Sequence, residues 1–343
     1  MDLMKTYEQV QQRVNQINFK DLWQGFRNYE FALYDDITVI LNGVSFPKTD
    51  EFLANTSILY QGRYIAIWYL NEDTDVDILT SKIIHEMFHA YQNELRDSRF
   101  ANEFEALCTY QYSPLYLQLK HNENLLLADL VSDFSIDKLN NFLTYRKIRQ
   151  TDFSYQYNYE NAIEAIEGSA QYVEMQVLRN LSEKKYLDLL NRLIGRIRNI
   201  KNLIPIRIIS YDIGALFLRV CFQNNLPLDL EIGYTSEIFY SKLIAETPYK
   251  MFDIAIEPEV MNFYNDDIKM LRSKIDNIIA NCAEVIKGNF ELLGFNVYSA
   301  RYSDGYIYSE YFLMYKDKQQ VTLYGNYLFK LENNRVTEIY KEE

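Results

Sequence analysis

Helical periodicity dominates the middle of this chain and limits what it can fold into. Between about 75 and 233, apolar residues recur at intervals of three and four, which predicts amphipathic helices. The predicted helices are 75–95, 100–120, 123–131, 136–149, 158–181, 184–200 and 210–224. The 343 residues include only 11 glycines and 6 prolines, so the composition favours long ordered elements over a chain built from loops.

Strand-like segments lie on both sides of this helical region. Before it, 29–41 and 57–70 are rich in aromatic and β-branched residues, and Asn42-Gly43 and Gln61-Gly62 are turn signals. After it, apolar residues from Ile268 to Val285 keep a helical spacing. Four further strands are predicted at 290–302, 305–315, 320–330 and 335–341.

These patterns predict an α+β protein with two parts. The first, 1–262, is a mostly helical domain with a small sheet over about 29–70 and helices over about 75–250. The second, 263–343, is a C-terminal helix followed by a four-stranded antiparallel meander. We expect the long helix to turn its apolar face to a core rather than to a second copy of the chain.

Charge and cysteine content narrow the class of protein. The chain has 35 Lys and Arg against 48 Asp and Glu, a net charge of −13, which argues against nucleic acid or an anionic membrane as a partner. Its three cysteines, Cys108, Cys221 and Cys282, are widely spaced and form no CxxC pair, which favours a reducing compartment. No signal peptide or membrane-spanning run is visible, so we expect a cytoplasmic protein.

One short motif points to chemistry. Residues 85–89 read His-Glu-Met-Phe-His, and the chain has only one further histidine. Side chains four residues apart lie one above the other on a helix, so His85 and His89 can bind one zinc ion. Glu86 lies beside the ion, where it can take a proton from metal-bound water. The flanking residues are apolar, and burying two imidazoles and a carboxylate without a partner is costly.

A catalytic zinc needs a third protein ligand and leaves one position for water. His121 is the remaining histidine, but it lies at a predicted polar helix boundary and is expected to face solvent. The predicted helix 158–181 places five polar residues on one stripe: Glu160, Glu164, Glu167, Gln171 and Glu174. Spacing alone does not choose among these glutamates.

The acidic stripe also indicates which groups pack against this helix. Like charges on one face repel each other unless cations lie against them, and the candidates are zinc or Arg146 and Arg149 of the preceding helix. Gly168 inside the helix costs about 1 kcal/mol relative to Ala, which suggests that another backbone approaches closely there.

Two downstream segments resemble the gluzincins, the zinc metallopeptidases that include thermolysin and the one-zinc aminopeptidases. In the aminopeptidase branch the glutamate ligand lies in Asn-Glu-Gly-x-Ala-x-Tyr-x-Glu, and 166–174 here read Ile-Glu-Gly-Ser-Ala-Gln-Tyr-Val-Glu. A Tyr-x-x-Gly-Ala element follows in that branch. Here 211–215 read Tyr-Asp-Ile-Gly-Ala, after Ser210 as a predicted N-cap. The three elements occur in the family's order over about 60–225.

The resemblance implies a zincin-like fold and a zinc-dependent peptidase. It assigns His85, His89 and Glu167 as zinc ligands. Glu86 becomes the general base that activates the zinc-bound water. Tyr211 becomes the donor that helps to hold the oxyanion of the transition state.

Several alternatives stay open from the sequence. A weaker match at 102–106, Asn-Glu-Phe-Glu-Ala, keeps Glu103 and Glu105, besides Glu164, as possible third ligands. Glu174 or Glu164 is a candidate to orient an imidazole. We expect a peptide or protein substrate that reaches the site beside the small sheet. The other functions considered are a binding protein that keeps the metal with little turnover, and a hydrolase of a non-peptide amide.

Overall fold

The computed structural model describes residues 2–71, 74–233, 237–250 and 253–342. It confirms the α+β class, with a small N-terminal sheet, a helical body and a C-terminal helix that precedes an antiparallel sheet. The helices are α1 Leu3–Val14, α2 Phe19–Leu22, α3 Val76–Glu94, α4 Glu103–Thr109, α5 Pro114–Ser132, α6 Ile136–Asp152, α7 Ser154–Ile163, α8 Ser169–Leu181, α9 Glu183–Arg198, α10 Arg207–Gln223, α11 Ser241–Glu246 and α12 Pro258–Asn281. The strands are β1 Phe31–Tyr34, β2 Thr38–Leu41, β3 Val44–Pro47, β4 Thr56–Tyr60, β5 Arg63–Tyr69, β6 Val285–Phe295, β7 Arg301–Ser303, β8 Tyr306–Ser309, β9 Phe312–Lys316, β10 Gln320–Tyr324, β11 Tyr327–Glu332 and β12 Arg335–Lys341.

The N-terminal sheet has the strand order β3-β2-β1-β5-β4. Strand β1 pairs with β5 in parallel, and the other neighbours are antiparallel. Both predicted turns are confirmed: Asn42 and Gly43 join β2 to β3, and Gln61 and Gly62 join β4 to β5, all with positive φ. The edges of the sheet are therefore β3 and β4.

Helix α3 packs across this sheet and forms the centre of the main core. Asp75 caps its first turn by accepting hydrogen bonds from the N–H groups of Asp77 and Ile78. Its apolar stripe is buried in this core, with Leu79, Ile83 and Met87 almost fully covered. On its other sides α3 contacts α1 and α8, so the histidine motif is held between the sheet and the helical body.

Two sequence-based boundaries were wrong. The strand predicted over 29–41 divides into β1 and β2, because the carboxylate of Asp35 accepts hydrogen bonds from the backbone just before β2 and stabilises a turn. The helices predicted at 100–120 and 123–131 divide at 110–113 instead. Ser113 caps α5, and proline follows it in the first turn, a position where proline fits a helix.

The helix and strands of the C-terminal part differ from the predicted elements. Helix α12 starts at Pro258, again with proline in the first turn, so the predicted division between 262 and 263 falls inside this helix. The predicted four-stranded meander was wrong: the sheet has seven strands in the order β10-β9-β6-β12-β11-β8-β7. The strand predicted over 290–302 is interrupted after β6, where Asn296 accepts backbone hydrogen bonds from Ser299 and Ala300 in a turn.

Two global features accompany this fold. Cys108, Cys221 and Cys282 are free thiols, as their spacing predicts. Within the described ranges, every helix is too short or too polar to cross a membrane.

Candidate metal centre

Helix α3 places the two predicted histidine ligands side by side. His85 and His89 are one turn apart, and their Nε2 atoms are 3.1 Å from each other. Both side chains are largely buried, with 12% of each exposed. The helix therefore aims the Nε2 atoms of both rings at one point, as the spacing predicts.

Glu167 reaches the same point from the helical body. Its Oε2 atom is 3.1 Å from Nε2 of His89 and 3.8 Å from Nε2 of His85. Ligands bound tetrahedrally at about 2.0–2.1 Å from zinc lie about 3.3 Å apart, which is close to this spacing. Across the part of the chain that the structure describes, no other trio of histidine, cysteine or acidic side chains converges in this way.

The hydrogen bonds of Gln92 determine which nitrogen of His89 faces the site. Its amide N–H group donates to the carbonyl of Ile166 at 3.0 Å and to the hydroxyl of Ser169 at 3.1 Å. Its amide oxygen is therefore the acceptor that lies 2.7 Å from Nδ1 of His89. Nδ1 carries the hydrogen, and Nε2 of His89 keeps a free lone pair that points at Glu167.

Glu174 contacts Nδ1 of His85, as Gln92 contacts Nδ1 of His89. Its Oε2 atom lies 3.3 Å from Nδ1 of His85, a charge contact rather than an aligned hydrogen bond. The carboxylate favours a hydrogen on Nδ1, which leaves Nε2 of His85 as a second free donor atom. Of the two glutamates considered for this role, the structure brings Glu174 to the imidazole and keeps Glu164 away from it.

The electrostatics of the cluster favour a cation. Burial lowers the pKa of His85, but Glu167 and Glu174 outweigh it and raise that pKa to about 10. Burial also raises the pKa of Glu86 above 4.5, against the lowering effect of the two imidazoles. Three carboxylates around two imidazoles are stabilised by added positive charge, either protons or a metal ion, so the donor set fits zinc.

A π-helical turn at Glu164–Gly168 joins α7 to α8 and sets the direction of Glu167. The wider turn rotates the residues after it relative to an ordinary helix, so the acidic stripe divides in two. Glu160, on α7, and Glu164, the first residue of the π turn, pair with Arg149 and Arg146, which confirms that cations from the preceding helix lie against the stripe. Glu167, near the end of the π turn, and Glu174, on α8, face the histidines.

The expected close approach of another backbone at Gly168 is confirmed. A Cβ atom on Gly168 would lie 2.7 Å from Cα of Gly214, and one on Gly214 would lie 2.8 Å from the carbonyl oxygen of Glu164. The π turn and α10 therefore cross with no side chain between them. This contact places α10, and with it Tyr211, beside the segment that holds Glu167.

Arg207 connects the candidate ligands to their surroundings. Its guanidinium donates to Oε1 of Glu167 at 3.1 Å and to the hydroxyl of Tyr211 at 3.3 Å, and it also pairs with Glu103. The hydroxyl of Tyr211 is 3.1 Å from that of Tyr298, which comes from the C-terminal part. Burial and the nearby Glu167 raise the pKa of Tyr211 well above its ordinary value, so this phenol stays protonated.

The other candidate ligands lie elsewhere. Glu103 pairs with Arg207 and accepts a hydrogen bond from Tyr159. Glu105 is exposed in the first turn of α4, and Glu164 lies in the buried ion pairs of α6. His121 lies within α5, half-buried, and not at a helix boundary, because the break predicted beside it does not occur.

One further sequence-based detail was wrong. Ser210 does not cap α10, because the helix starts at Arg207 and the Ser210 hydroxyl donates to the carbonyl of Ile206 inside it. Three residues of the site escaped the sequence reasoning: Gln92, Arg207 and Tyr298. Gln92 follows His89 by three residues and Arg207 precedes Tyr211 by four, so helical spacing was an available signal for both. No local signal marked Tyr298, which is 87 residues from Tyr211.

Comparisons with protein-family models, with curated proteins and with solved structures found no match to this chain. The assignment of His85, His89 and Glu167 as ligands therefore rests on the motif and on the convergence of their donor atoms.

Proposed function

We propose that the chain is a zinc-dependent metallopeptidase that hydrolyses a peptide or protein substrate. The observation that carries this proposal is the convergence of Nε2 of His85, Nε2 of His89 and Oε2 of Glu167, with the Nδ1 atoms turned to Gln92 and Glu174. A bound zinc ion supplies Lewis acidity, which lowers the pKa of its water toward about 7 and polarises a carbonyl.

Glu86 is the proposed general base. It follows the first histidine on α3, and burial raises its pKa above the ordinary 4.5, which makes this carboxylate a stronger proton acceptor. In this proposal Glu86 takes a proton from the attacking water and returns it to the leaving amine.

Tyr211 and Arg207 are the proposed stabilisers of negative charge. Tyr211 remains a phenol because its pKa is raised well above 10, so its hydroxyl can donate to the oxyanion of the substrate. Arg207 donates to both Glu167 and Tyr211 and holds the two at a fixed separation.

Strand β4 is the proposed place where an extended substrate lies. It is an edge strand of the N-terminal sheet, it packs against α3, and within the described part of the chain no strand pairs with its outer side. Asn93 on α3 donates to the Ser57 hydroxyl of β4 at 2.7 Å, and Lys82 lies over the Trp68 ring of β5. Glu86 lies on the same helical stripe, between Lys82 and Asn93, so a peptide paired with β4 would pass beside it.

The test combines metal content with cleavage of a peptide library. We expect about one zinc per chain in wild type by atomic emission, and loss of zinc in His89→Ala. Glu86→Gln is expected to keep zinc and lower kcat by roughly a hundredfold or more, because it removes the proton acceptor. Glu8→Gln, an exposed position on α1, is the matched control.

Other results separate the alternatives. Zinc retained with no cleavage across the library would favour a metal-containing binding protein, and protein that takes up no zinc would overturn the proposal. We also propose a cytoplasmic location, which the three free thiols support.

A further inference from the structure

A cavity of about 270 Å³ lies where the helical body meets the C-terminal sheet. Helix α4 and the residues that precede α10 form one wall, and α12 with the segment around Ala300 forms the other. Aromatic and charged side chains both line it, and the aromatic ones include Tyr110, Tyr159, Tyr264 and Phe295. A closed apolar cavity of roughly 150 Å³ holds benzene, so this volume accommodates one aromatic side chain with a polar substituent.

The cavity adjoins the candidate metal centre. Arg207 and Glu103 line it, and the same Arg207 guanidinium contacts Glu167. Val297 also lines it, and the next residue, Tyr298, places its ring over Arg207 and its hydroxyl on that of Tyr211. Arg207 therefore separates the cavity from the metal ligands by the width of one side chain.

Charged groups in the lining are already paired. Arg301 donates to both carboxylate oxygens of Asp267, at 3.0 and 2.6 Å, and Glu103 pairs with Arg207. Arg272, on α12, lies 3.7 Å from the carboxylate of Asp304. A charged group entering the cavity would lose its hydration without meeting a free counter-ion, whereas an uncharged ring would lose little.

We infer that this cavity is a specificity subsite that takes one large uncharged side chain of the substrate, aromatic by preference, and that the C-terminal sheet is therefore part of the substrate site. As a substrate subsite it rests on the proposed peptidase function. The inference that the cavity binds an aromatic group does not depend on that function.

The first experiment measures which substrate side chain is preferred and then tests whether filling the cavity removes that preference. Peptides that differ at one position, carrying Phe, Tyr, Gly, Asp or Lys on either side of the cleaved bond, are compared by kcat/KM. At one of these positions, we expect kcat/KM for peptides with Phe or Tyr to exceed that for peptides with Asp or Lys by roughly tenfold or more. Ala300→Phe, which fills the cavity, is expected to lower the value for the aromatic peptide by roughly tenfold to a hundredfold and to spare the Gly peptide.

The controls address folding and location. Ala283→Phe makes the same change at an exposed, irregular position outside the cavity and is expected to leave both values unchanged. Leu107→Trp fills the cavity from α4 and replaces Ala300→Phe if that variant does not fold. Thermal melting of each variant establishes that the fold is retained.

The second experiment needs no cleavage. Saturation-transfer NMR with N-acetylphenylalaninamide, on wild type treated with chelator, is expected to show binding that Ala300→Phe abolishes and Ala283→Phe retains. That result supports an aromatic-binding cavity even if no peptide is cleaved, in which case the peptidase proposal and the substrate-subsite role fail together and the binding site stands. Cleavage without preference for a bulky uncharged residue, or a preference that Ala300→Phe does not change, would overturn the inference and leave the peptidase proposal standing.

Discussion

Gln92 determines which nitrogen of His89 is available to a metal ion. Its amide is oriented by the carbonyl of Ile166, a residue next to Glu167, so the same segment supplies a candidate ligand and fixes the ring of another. Substitution of a residue that orients a metal ligand in this way commonly lowers metal affinity or activity by about 10–100-fold.

Gln92→Leu is expected to weaken zinc binding by about 10–100-fold, because Nδ1 of His89 loses its acceptor. Competition with a chromophoric chelator measures the affinity. Gln12→Leu, an exposed position on α1, is the control and is expected to leave the affinity unchanged. Equal affinities in wild type and Gln92→Leu would contradict the role of this amide.

Tyr211→Phe is expected to lower kcat/KM by roughly 10²–10³-fold while zinc content stays constant, since one donor to the oxyanion is lost. The raised pKa of Tyr211 keeps its proton, so wild-type activity should show no loss from phenol ionisation up to at least the ordinary value of 10. Tyr311→Phe, at an exposed position, is the control. Unchanged kcat/KM in Tyr211→Phe would exclude this role.

Helix α3 and the π turn contribute to the candidate centre in different ways. Helix α3 is regular, and its spacing alone aligns His85 with His89. The segment that carries Glu167 is irregular, and it reaches the histidines because the π turn at Glu164–Gly168 lies against α10. Irregular turns of this kind within helices occur frequently at functional sites.

Gly168→Ala is expected to lower the free energy of unfolding by about 1–3 kcal/mol or more, because the new methyl group would overlap the backbone of Gly214. Gly195→Ala is the matched control: it lies in α9, with open space around the added Cβ. That change is expected to raise stability by about 0.5–1 kcal/mol through helix propensity. Urea unfolding measures both changes. An unchanged free energy of unfolding in Gly168→Ala would contradict the close backbone contact with Gly214.

Local patterns predicted part of this fold and site. The bounds of α3 were predicted within one residue, because a capping aspartate and an apolar stripe agree there. The break at 110–113 was missed because apolar spacing continues through it, although Ser113 followed by proline is a helix start signal. Glu167 could not be separated from Glu164 by spacing, since a π turn changes the helical register between them.

A buried cluster of ion pairs joins α5, α6, α7 and the π turn. Lys120, Arg146 and Arg149 meet three carboxylates, and all six side chains are fully buried. The carboxylates are Glu123, Glu160 and Glu164. Because the charges balance, the cluster is stable as a unit, but removing one member leaves an unpaired buried charge.

Acid is expected to destabilise the protein through this cluster. Burial raises the pKa of Glu160, but Arg149 and Lys120 outweigh it and lower the pKa to about 2, from an ordinary 4.5. The unfolded chain therefore binds the proton more readily, so the stabilisation is complete above about pH 4.5 and is lost as the pH falls toward 2. The loss is about 3 kcal/mol, and urea unfolding between pH 7 and 3 measures its onset.

Glu160→Gln is expected to lower the free energy of unfolding at pH 7 by about 3–5 kcal/mol and to reduce the dependence on acid, because the titrating group is gone. Glu183→Gln, at an exposed end of α9, should change neither. A variant Glu160→Gln as stable as wild type at pH 7 would contradict the contribution assigned to the cluster.

The contact between Gly168 and Gly214 has a consequence for how the molecule tolerates change. Glu167 adjoins one glycine and Tyr211 lies within a turn of the other, so a main-chain contact sets the spacing of the backbone segments that carry them. Repacking of neighbouring side chains leaves that spacing intact. Tyr298, in contrast, lies in the turn between β6 and β7 of the C-terminal part and meets Tyr211 only through hydroxyl and ring contacts. Under the proposed peptidase function, variation in substrate choice can therefore accumulate in the C-terminal part while the backbone spacing of the proposed catalytic residues is kept.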